Sequence, residues 1–304
     1  MVVPSIMTFD SISELTRRLD LPMPLHPLVA LINYNLVKTE PAEAGSKISL
    51  NFYKISFKTN FNGRVKYGQG YYDFEEGGLA FLSPNQVVTM SDNKDGYQGY
   101  ALYFHPDLIR GYALAGMIHQ YGFFAYQVSE ALFLSDKERM VINTLFEAIE
   151  SELHHDTDHF SQDVLVAQIG LLLTYSNRYY NRQFLTRKVI YNDMIDRMNR
   201  YLDERFDTPN STISGLPSVL DLADHLLVSP RYLTDMLKSL TGQSAQQHIH
   251  HRLIERAKNI LSVSNRSIAE IAYDLGFEYP QSFNKLFKQK TNMSPTEFRK
   301  SFDI

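Results

Sequence analysis

Apolar residues along this chain follow two kinds of spacing. From about Ser49 to Phe104 they come in short β-branched and aromatic runs, LNFYKISF, RVKY, GYYDF, LAFLS, QVVTM and GYALYF, separated by Asn-Gly, Gly-Gly, Ser-Pro and Asp-Gly pairs. Runs of that length between turn dipeptides predict antiparallel strands, and their even spacing predicts a small barrel or jelly roll rather than alternating β-α units. After His105 the spacing becomes helical. Ser135 to Glu152 carries a Ser N-cap, an acidic first turn, and Met140, Val141, Leu145, Ile149 and Leu153 on one side. A second helix runs from Ser161 to about Tyr180 through Val164, Leu165, Ile169, Leu172, Leu173 and Tyr175, and the HHDTDH turn makes the two a helical hairpin. Its QIGLLLTY stretch is apolar around most of its circumference, which requires partners on two sides, either the barrel and a second subunit or a core within the chain. A third helix, Lys188 to Arg205, sets Ile190, Met194, Ile195, Met198, Tyr201 and Leu202 on one side, and the FDTPNSTISGLP stretch after it is too polar to pack a core.

The remainder reads as short helices. In SVLDLADHLLVSPRYLTDMLKSLTG, Val219, Leu222, Ala223, Leu226 and Leu227 form the inner face of one helix, Ser229 caps the next, Pro230 opens it, and Gly242 ends it. Tyr232, Leu233, Met236 and Leu237 face inward there, leaving Arg231, Thr234, Asp235 and Lys238 outside. The pattern returns about fifty residues later in SIAEIAYDLGFEYPQSFNKLFKQKTN. Ser267 caps, Ile268, Ile271, Ala272 and Leu275 face inward, and Gly276 stands where a tight turn requires positive φ. Phe283, Leu286 and Phe287 bury the following helix and expose Gln281, Ser282, Asn284, Lys285 and Lys288. Ala223 matches Ala272, Leu226 matches Leu275, and Leu237-Lys238 matches Phe287-Lys288. Between the copies Ala245 to Leu261 forms a helix with Ile249, Leu253, Ile254, Ala257 and Leu261 inward; at about 1.5 Å per residue it is long enough to hold two reading units roughly one turn of DNA apart. The plain alternative is a packed helical domain of two αα-hairpins.

The fold class expected is therefore α+β in two domains. An N-terminal antiparallel barrel or jelly roll with a helical hairpin occupies residues 1–184, a connecting helix and linker 185–217, and an all-α domain with two helix-turn-helix units 218–304. The length of 304 residues suits two cores. The net charge of -4 argues against nucleic acid when taken whole, but it is unevenly placed. Residues 185–304 hold 16 Lys and Arg against 14 Asp and Glu, and from Ser229 onward the count is 11 against 7. The basic excess lies where the duplicated unit lies.

These residues resemble the AraC/XylS family of bacterial transcription regulators, with SIAEIAYDLGF…SFNKLFKQKTNMSPTEFR close to that family's C-terminal signature over about Val219 to Phe302. The resemblance implies two helix-turn-helix units on a rigid helix, entering successive major grooves. By position it assigns base reading to Arg231, Thr234, Asp235, Gln281, Asn284 and Lys285, and phosphate contacts to Lys238, Lys288 and the helix N-termini. Two positions depart from the family pattern. Asn292 replaces the usual Gly, which Asn's tolerance of left-handed backbone permits, and Asp235 puts an anion on the first recognition helix, suited to accepting from cytosine or reading little directly.

The strand-rich half resembles the cupin-like sensor domain of many family members. No histidine stands between His26 and His105, so the clustered ligands of a metal-dependent cupin are missing from the strands and no metal or cofactor is expected. His155 and His159 have the spacing of paired ligands but fall in a polar turn with Asp156 and Asp158, and Glu75-Glu76 sits beside Gly-Gly as turn residues. The chain has no cysteine, which excludes disulfides, thiol catalysis, Cys-ligated zinc and the Cys-dependent alkyl-repair chemistry of some relatives of this fold. Tyr53, Tyr67, Tyr72, Phe81, Tyr100 and Tyr103 are candidates for lining an effector cavity, although the effector-binding residues are not fixed by sequence. The expected protein is a non-enzymatic, cytoplasmic, homodimeric activator that answers a small-molecule effector and works with RNA polymerase, without a membrane segment. The alternatives are a regulator governed by a protein partner and an enzyme on a cupin scaffold.

Overall fold

The computed structural model describes residues 6–38, 46–60, 64–67, 70–73, 77–89, 98–127, 130–207 and 215–301, with residues 60, 64–67, 70–73, 188–190 and 207 described by backbone alone. The chain divides into two compact units, Met1–Gln183 and Phe184–Ile304. Strands confined to the first unit and helices alone in the second make the α+β, two-domain class expected from the patterning.

The first unit is built on a five-stranded antiparallel sheet in the order β10 (Leu132–Phe133), β7 (Gly78–Leu82), β4 (Tyr53–Asn60), β9 (Gln98–Phe104), β2 (Val29–Asn33). A second sheet sets β1 (Met7–Phe9), β3 (Lys47–Leu50) and β8 (Val87–Thr89) side by side, and β5 (Arg64–Tyr67) pairs with β6 (Gly70–Asp73) as a hairpin. β1 runs parallel to β3, which differs from the wholly antiparallel expectation. The two are far apart in sequence, with α1 (Ile12–Arg18) and β2 between them, so no hairpin constrains their direction. The LNFYKISF run is two strands rather than one. Its break at Asn51-Phe52 is held by the Asn51 amide donating to the Phe9 carbonyl at 3.0 Å, and Phe52 is wholly buried.

Alternation gives the five-stranded sheet two different faces. On one, Phe57 meets Phe146 of α3 (Asp136–His154) at 5.3 Å between ring centroids, and Phe81 packs on Phe123 at 4.3 Å. On the other, Ala30, Ile32, Ala101 and Tyr103 share a core with Phe9, Ile12, Leu15, Ile48 and Leu50. Gly99 is required at its place in β9, because at φ 116° a Cβ would stand 2.1 Å from the Phe57 carbonyl oxygen. Beyond α2 (Ala113–Met117), α3 begins at the expected cap Ser135, which forms a capping box with Glu138. Its buried stripe, however, is Ile142, Phe146 and Ile149, and Met140 is 63% exposed. The anticipated Met140–Val141–Leu145 face is rotated because Phe146, the largest apolar side chain of the helix, has an aromatic partner on β4. α4 (Ser161–Thr186) runs past the expected end, its last turns tied to β10 by Arg182 donating to the Phe133 carbonyl at 2.7 Å and Gln183 accepting from the Phe133 amide at 2.8 Å.

The second unit holds α5 (Lys188–Asp207), α6 (Val219–Leu226), α7 (Pro230–Thr241), α8 (Ala245–Val263), α9 (Ile268–Asp274), α10 (Pro280–Thr291) and α11 (Pro295–Lys300). α8 buries Ile249, Leu253, Ile254, Ala257 and Leu261, the stripe its spacing predicts, and packs against α5, α6, α7 and α11. Met198 and Leu202 of α5 are fully buried, while the side chain of Ile190 and most of the polar stretch after α5, residues 208–214, lie outside the described residues. Among the described residues no helix is long and apolar enough to cross a membrane.

The phase of α3 is directly testable. Phe146→Ala should lower the stability of the first unit by about 3–5 kcal/mol, while Met140→Ala changes it by less than about 0.5 kcal/mol, read from urea unfolding curves.

Candidate nucleic-acid interface

The two helix-turn-helix units are built alike down to their hydrogen bonds. Ser218 Oγ accepts from the Asp221 amide at 3.1 Å, and the Asp221 carboxylate accepts from the Ser218 amide at 2.8 Å, a capping box that starts α6. Ser267 and Glu270 repeat it at α9, at 3.1 and 2.7 Å. The serine amides and hydroxyls hold both carboxyls below their usual pKa range. Each first helix then stops on a residue with left-handed backbone, Leu227 at φ 60° and Gly276 at φ 91°. The next amide reaches back in the same way, Val228 to the Ala223 carbonyl at 3.0 Å and Phe277 to the Ala272 carbonyl at 2.9 Å. Ala223 and Ala272 are completely buried, and Val228 and Phe277 close the turns from inside.

This corrects one expected inward residue. Leu227 is the cap of α6 and 53% exposed, and Val228 takes the buried place. Gly276 could not be replaced as Leu227 replaces glycine, since a Cβ there would meet the Gly215 carbonyl oxygen at 2.9 Å.

The second helices present the polar residues singled out by pattern. α7 buries Tyr232, Leu233, Met236 and Leu237 and ends at Gly242 with φ 76°. Arg231 and Lys238 are exposed, and Thr234 and Asp235 half-buried. Arg231 donates Nε to Asp235 Oδ2 at 2.8 Å, one helical turn away, so the anion of this surface is joined to its cation. α10 buries Phe283 and Phe287, leaves Leu286 half-buried, and exposes Gln281, Ser282, Asn284, Lys285 and Lys288. Asn292 caps it at φ 62°, the conformation its side chain tolerates. The N-termini differ: Ser229 Oγ accepts from the Tyr232 amide at 3.2 Å in α7, whereas Tyr279 gives α10 no side-chain cap.

Aromatic contacts that sequence did not anticipate fix α7. Tyr191 and Tyr232 hydroxyls lie 2.9 Å apart, and Phe184 meets both rings edge-on, at 5.9 and 5.3 Å. Nothing in the local pattern joins residues forty positions apart. On α8, His248 Nε2 lies 2.8 Å from Thr241 Oγ1 and His250 Nε2 lies 2.7 Å from Gln246 Nε2. Burial holds both imidazole pKa values below their ordinary value, with the charges of His251 and Lys290 adding to it.

In the first unit the aromatic candidates divide between the faces of the sheet. Tyr53 stacks on Phe104 at 4.8 Å and Phe81 packs on Phe123, both buried on the helical side, where Tyr100 lies half-buried against Phe146. Tyr103 is on the opposite face, where Lys54 and Tyr34 join it. The side chains of Tyr67 and Tyr72, and both residues Glu75 and Glu76, lie outside the described residues. Lys54 was not among the expected residues, though the polar alternation Lys54, Ser56, Lys58 within a strand was its signal. His155 and His159 are exposed in the turn after α3, and among the described residues no group of three metal-ligating side chains forms.

Residues 222–301 match the model of a helix-turn-helix domain, and residues 51–169 that of an AraC-like ligand binding domain. The raffinose operon transcriptional regulatory protein RafR of Pediococcus pentosaceus is 30% identical over 170 residues, covering 55% of this chain and 59% of that protein. The HTH-type transcriptional activator RhaS of Escherichia coli is 33% identical over 82 residues, 27% of this chain and 30% of its own. The chain thus spans less than two thirds of the length of these curated relatives. Among solved structures, the C-terminal domain of the two-component response regulator yesN from Fusobacterium nucleatum is 24% identical, covering 35% of this chain and 98% of that one at a TM-score of 0.31.

Leu227→Gly should stabilise the second unit by about 1 kcal/mol in urea unfolding, because a side chain in left-handed backbone is relieved; Gly276→Ala should destabilise it by more than that. The histidines give a pH dependence of definite sign. Native His248 and His250 bind a proton less readily than in the unfolded chain, whose value is 6.5, so their contribution is present above that pH and is lost as the pH falls below it. The urea midpoint of the second unit should drop as the pH falls below about 6.5, and a His248→Asn, His250→Asn variant should flatten that slope.

Proposed function

The chain belongs to the AraC/XylS family of transcription regulators, and from that premise we propose that it is a sequence-specific DNA-binding regulator, an activator whose N-terminal sheet domain answers a small-molecule effector. The observation that carries this reading is the repetition of one turn geometry in two helix pairs, each backing a helix whose outer face is polar. A helical domain selected for packing alone has no need to repeat a left-handed turn, its reaching-back hydrogen bond and an exposed set of amide and basic side chains.

Within that reading α7 and α10 enter successive major grooves. Gln281, Asn284 and Lys285 read bases from α10, and Arg231, Thr234 and Asp235 from α7. Asp235 acts chiefly by orienting Arg231, to which it is joined. Lys238 and Lys288 hold phosphates, as do the first-turn amides of α10, which lack a side-chain cap. Effector occupancy changes which pairs of half-sites can be engaged together, through α5 and the polar stretch after it. The protein works as a homodimer in the cytoplasm, recruits RNA polymerase and catalyses no reaction. The exposed Val164 and Leu171 of α4 support a dimer surface on the hairpin.

Selection of binding sites from random duplex DNA by the full chain tests the reading: enrichment of two half-sites about one helical turn apart is expected, and no sequence preference at moderate salt overturns it. Lys285→Ala should relax preference at one base position at a cost of about 1–3 kcal/mol. Lys288→Ala should weaken all sequences alike and reduce the salt slope by about one unit. Asp235→Ala should broaden preference at the position read by Arg231 while leaving affinity for random DNA unchanged or higher.

A further inference from the structure

Lys54 stands in the middle of β4, paired in register with Leu82 on one side and Tyr103 on the other. It is on the face of the sheet turned away from α3, where strand interiors are ordinarily apolar. Its Nζ lies 5.5 Å from the centre of the Tyr103 ring and 6.0 Å from that of Tyr34, and among the described residues no carboxylate forms an ion pair with it. Burial penalises its charge, and the Tyr103 and Tyr34 hydroxyls outweigh that penalty, so the amine stays protonated. Among the described residues, this half-buried cation therefore has two tyrosines as neighbours and no carboxylate paired with it.

The next row of the same face is unusually bare. Ser56 follows Lys54 by two residues, its neighbours in register are Ala80 and Ala101, and the Tyr34 hydroxyl hydrogen-bonds to the Ser56 hydroxyl. Lys58 continues the face, beside Gly78. A protonated amine, hydroxyls and aromatic rings thus converge over side chains of one carbon or less, the set that recognises a small anion with an organic body.

We propose that the effector taken by the sheet domain is an organic anion, a small metabolite with a carboxylate or phosphate group, and that Lys54 is its anchor, with Tyr34, Ser56 and Tyr103 completing the polar contacts. The proposal rests on the sensing role given above to this domain and adds the chemical class and the anchoring residue.

Titration calorimetry on the full chain tests it with matched probes: benzoate against benzamide, and glucose 6-phosphate against glucose. At least one anion should bind ten times more tightly than its neutral partner, Lys54→Met should abolish that preference, and Lys54→Arg should keep most of it. Lys54→Met should also leave the melting temperature of the unliganded protein unchanged or raise it, because the charge it removes has no carboxylate partner among the described residues. A marked fall in melting temperature, or failure to fold, would assign Lys54 to the structure and overturn the proposal. Neutral probes binding wild type and Lys54→Met equally would overturn the anionic class and leave the sensing role standing. Binding of neither class to the wild type would overturn both.

Discussion

The outer polar surface of the second unit depends on one constraint, the reversal of the backbone between the two helices of each helix-turn-helix unit. After α6 and α9 the chain must turn within a few residues while two helices cross closely enough to bury an alanine between them. One residue with positive φ makes that possible, and an amide that reaches back past it to the carbonyl of Ala223 or Ala272 locks it. Once the turn is set, the crossing of the helices is set, and so is the division of α7 and α10 into buried and outward sides. The same solution is reached with glycine in one copy and with leucine in the other. Gly276 has a backbone carbonyl against it where a side chain would begin, and Leu227 projects into solvent.

The remaining helices of the second unit keep that turn from relaxing. α8 offers an apolar stripe to its neighbours, and the Tyr191, Tyr232 and Phe184 cluster fixes the start of α7 from behind. A recognition helix must hold its side chains against a rigid groove, and a tightly packed back is how short helices achieve this. The pairing of Arg231 with Asp235 extends that order to the outer surface, since a guanidinium held by a neighbouring carboxylate has less freedom to lose in any further contact.

In the first unit the comparable device is the sheet with two faces. One carries large aromatic residues against α3 and α4, and the other combines an apolar core with a patch of Lys54, Ser56, Tyr34 and Tyr103. Strand alternation separates the two at no cost in length, so a single strand, β4, contributes Phe57 to the core and Lys54 to the opposite face. The aromatic packing and the polar patch can then be altered independently.

Local spacing determined a good deal. The helix-turn-helix duplication, the inward stripe of α8, the caps at Ser135, Ser229 and Ser267, and the left-handed residues Gly242, Gly276 and Asn292 were all legible, because each depends on residues within one or two turns of one another. Spacing failed where the deciding partner was distant. The stripe of α3 turned to bring Phe146 to Phe57, Leu227 gave its buried place to Val228, β1 joined β3 in parallel, and Tyr191 found Tyr232. The aromatic residues of the strands carry no local mark of the face they occupy, and only the fold brings Tyr34 beside Lys54. Sequence determined the type of most of the longer elements and the starts of the capped helices, since capping hydrogen bonds and side-chain periodicity are local. Only the tertiary structure decided which side of each element is covered and which groups meet, because packing joins residues whose separation along the chain carries no record of their contact.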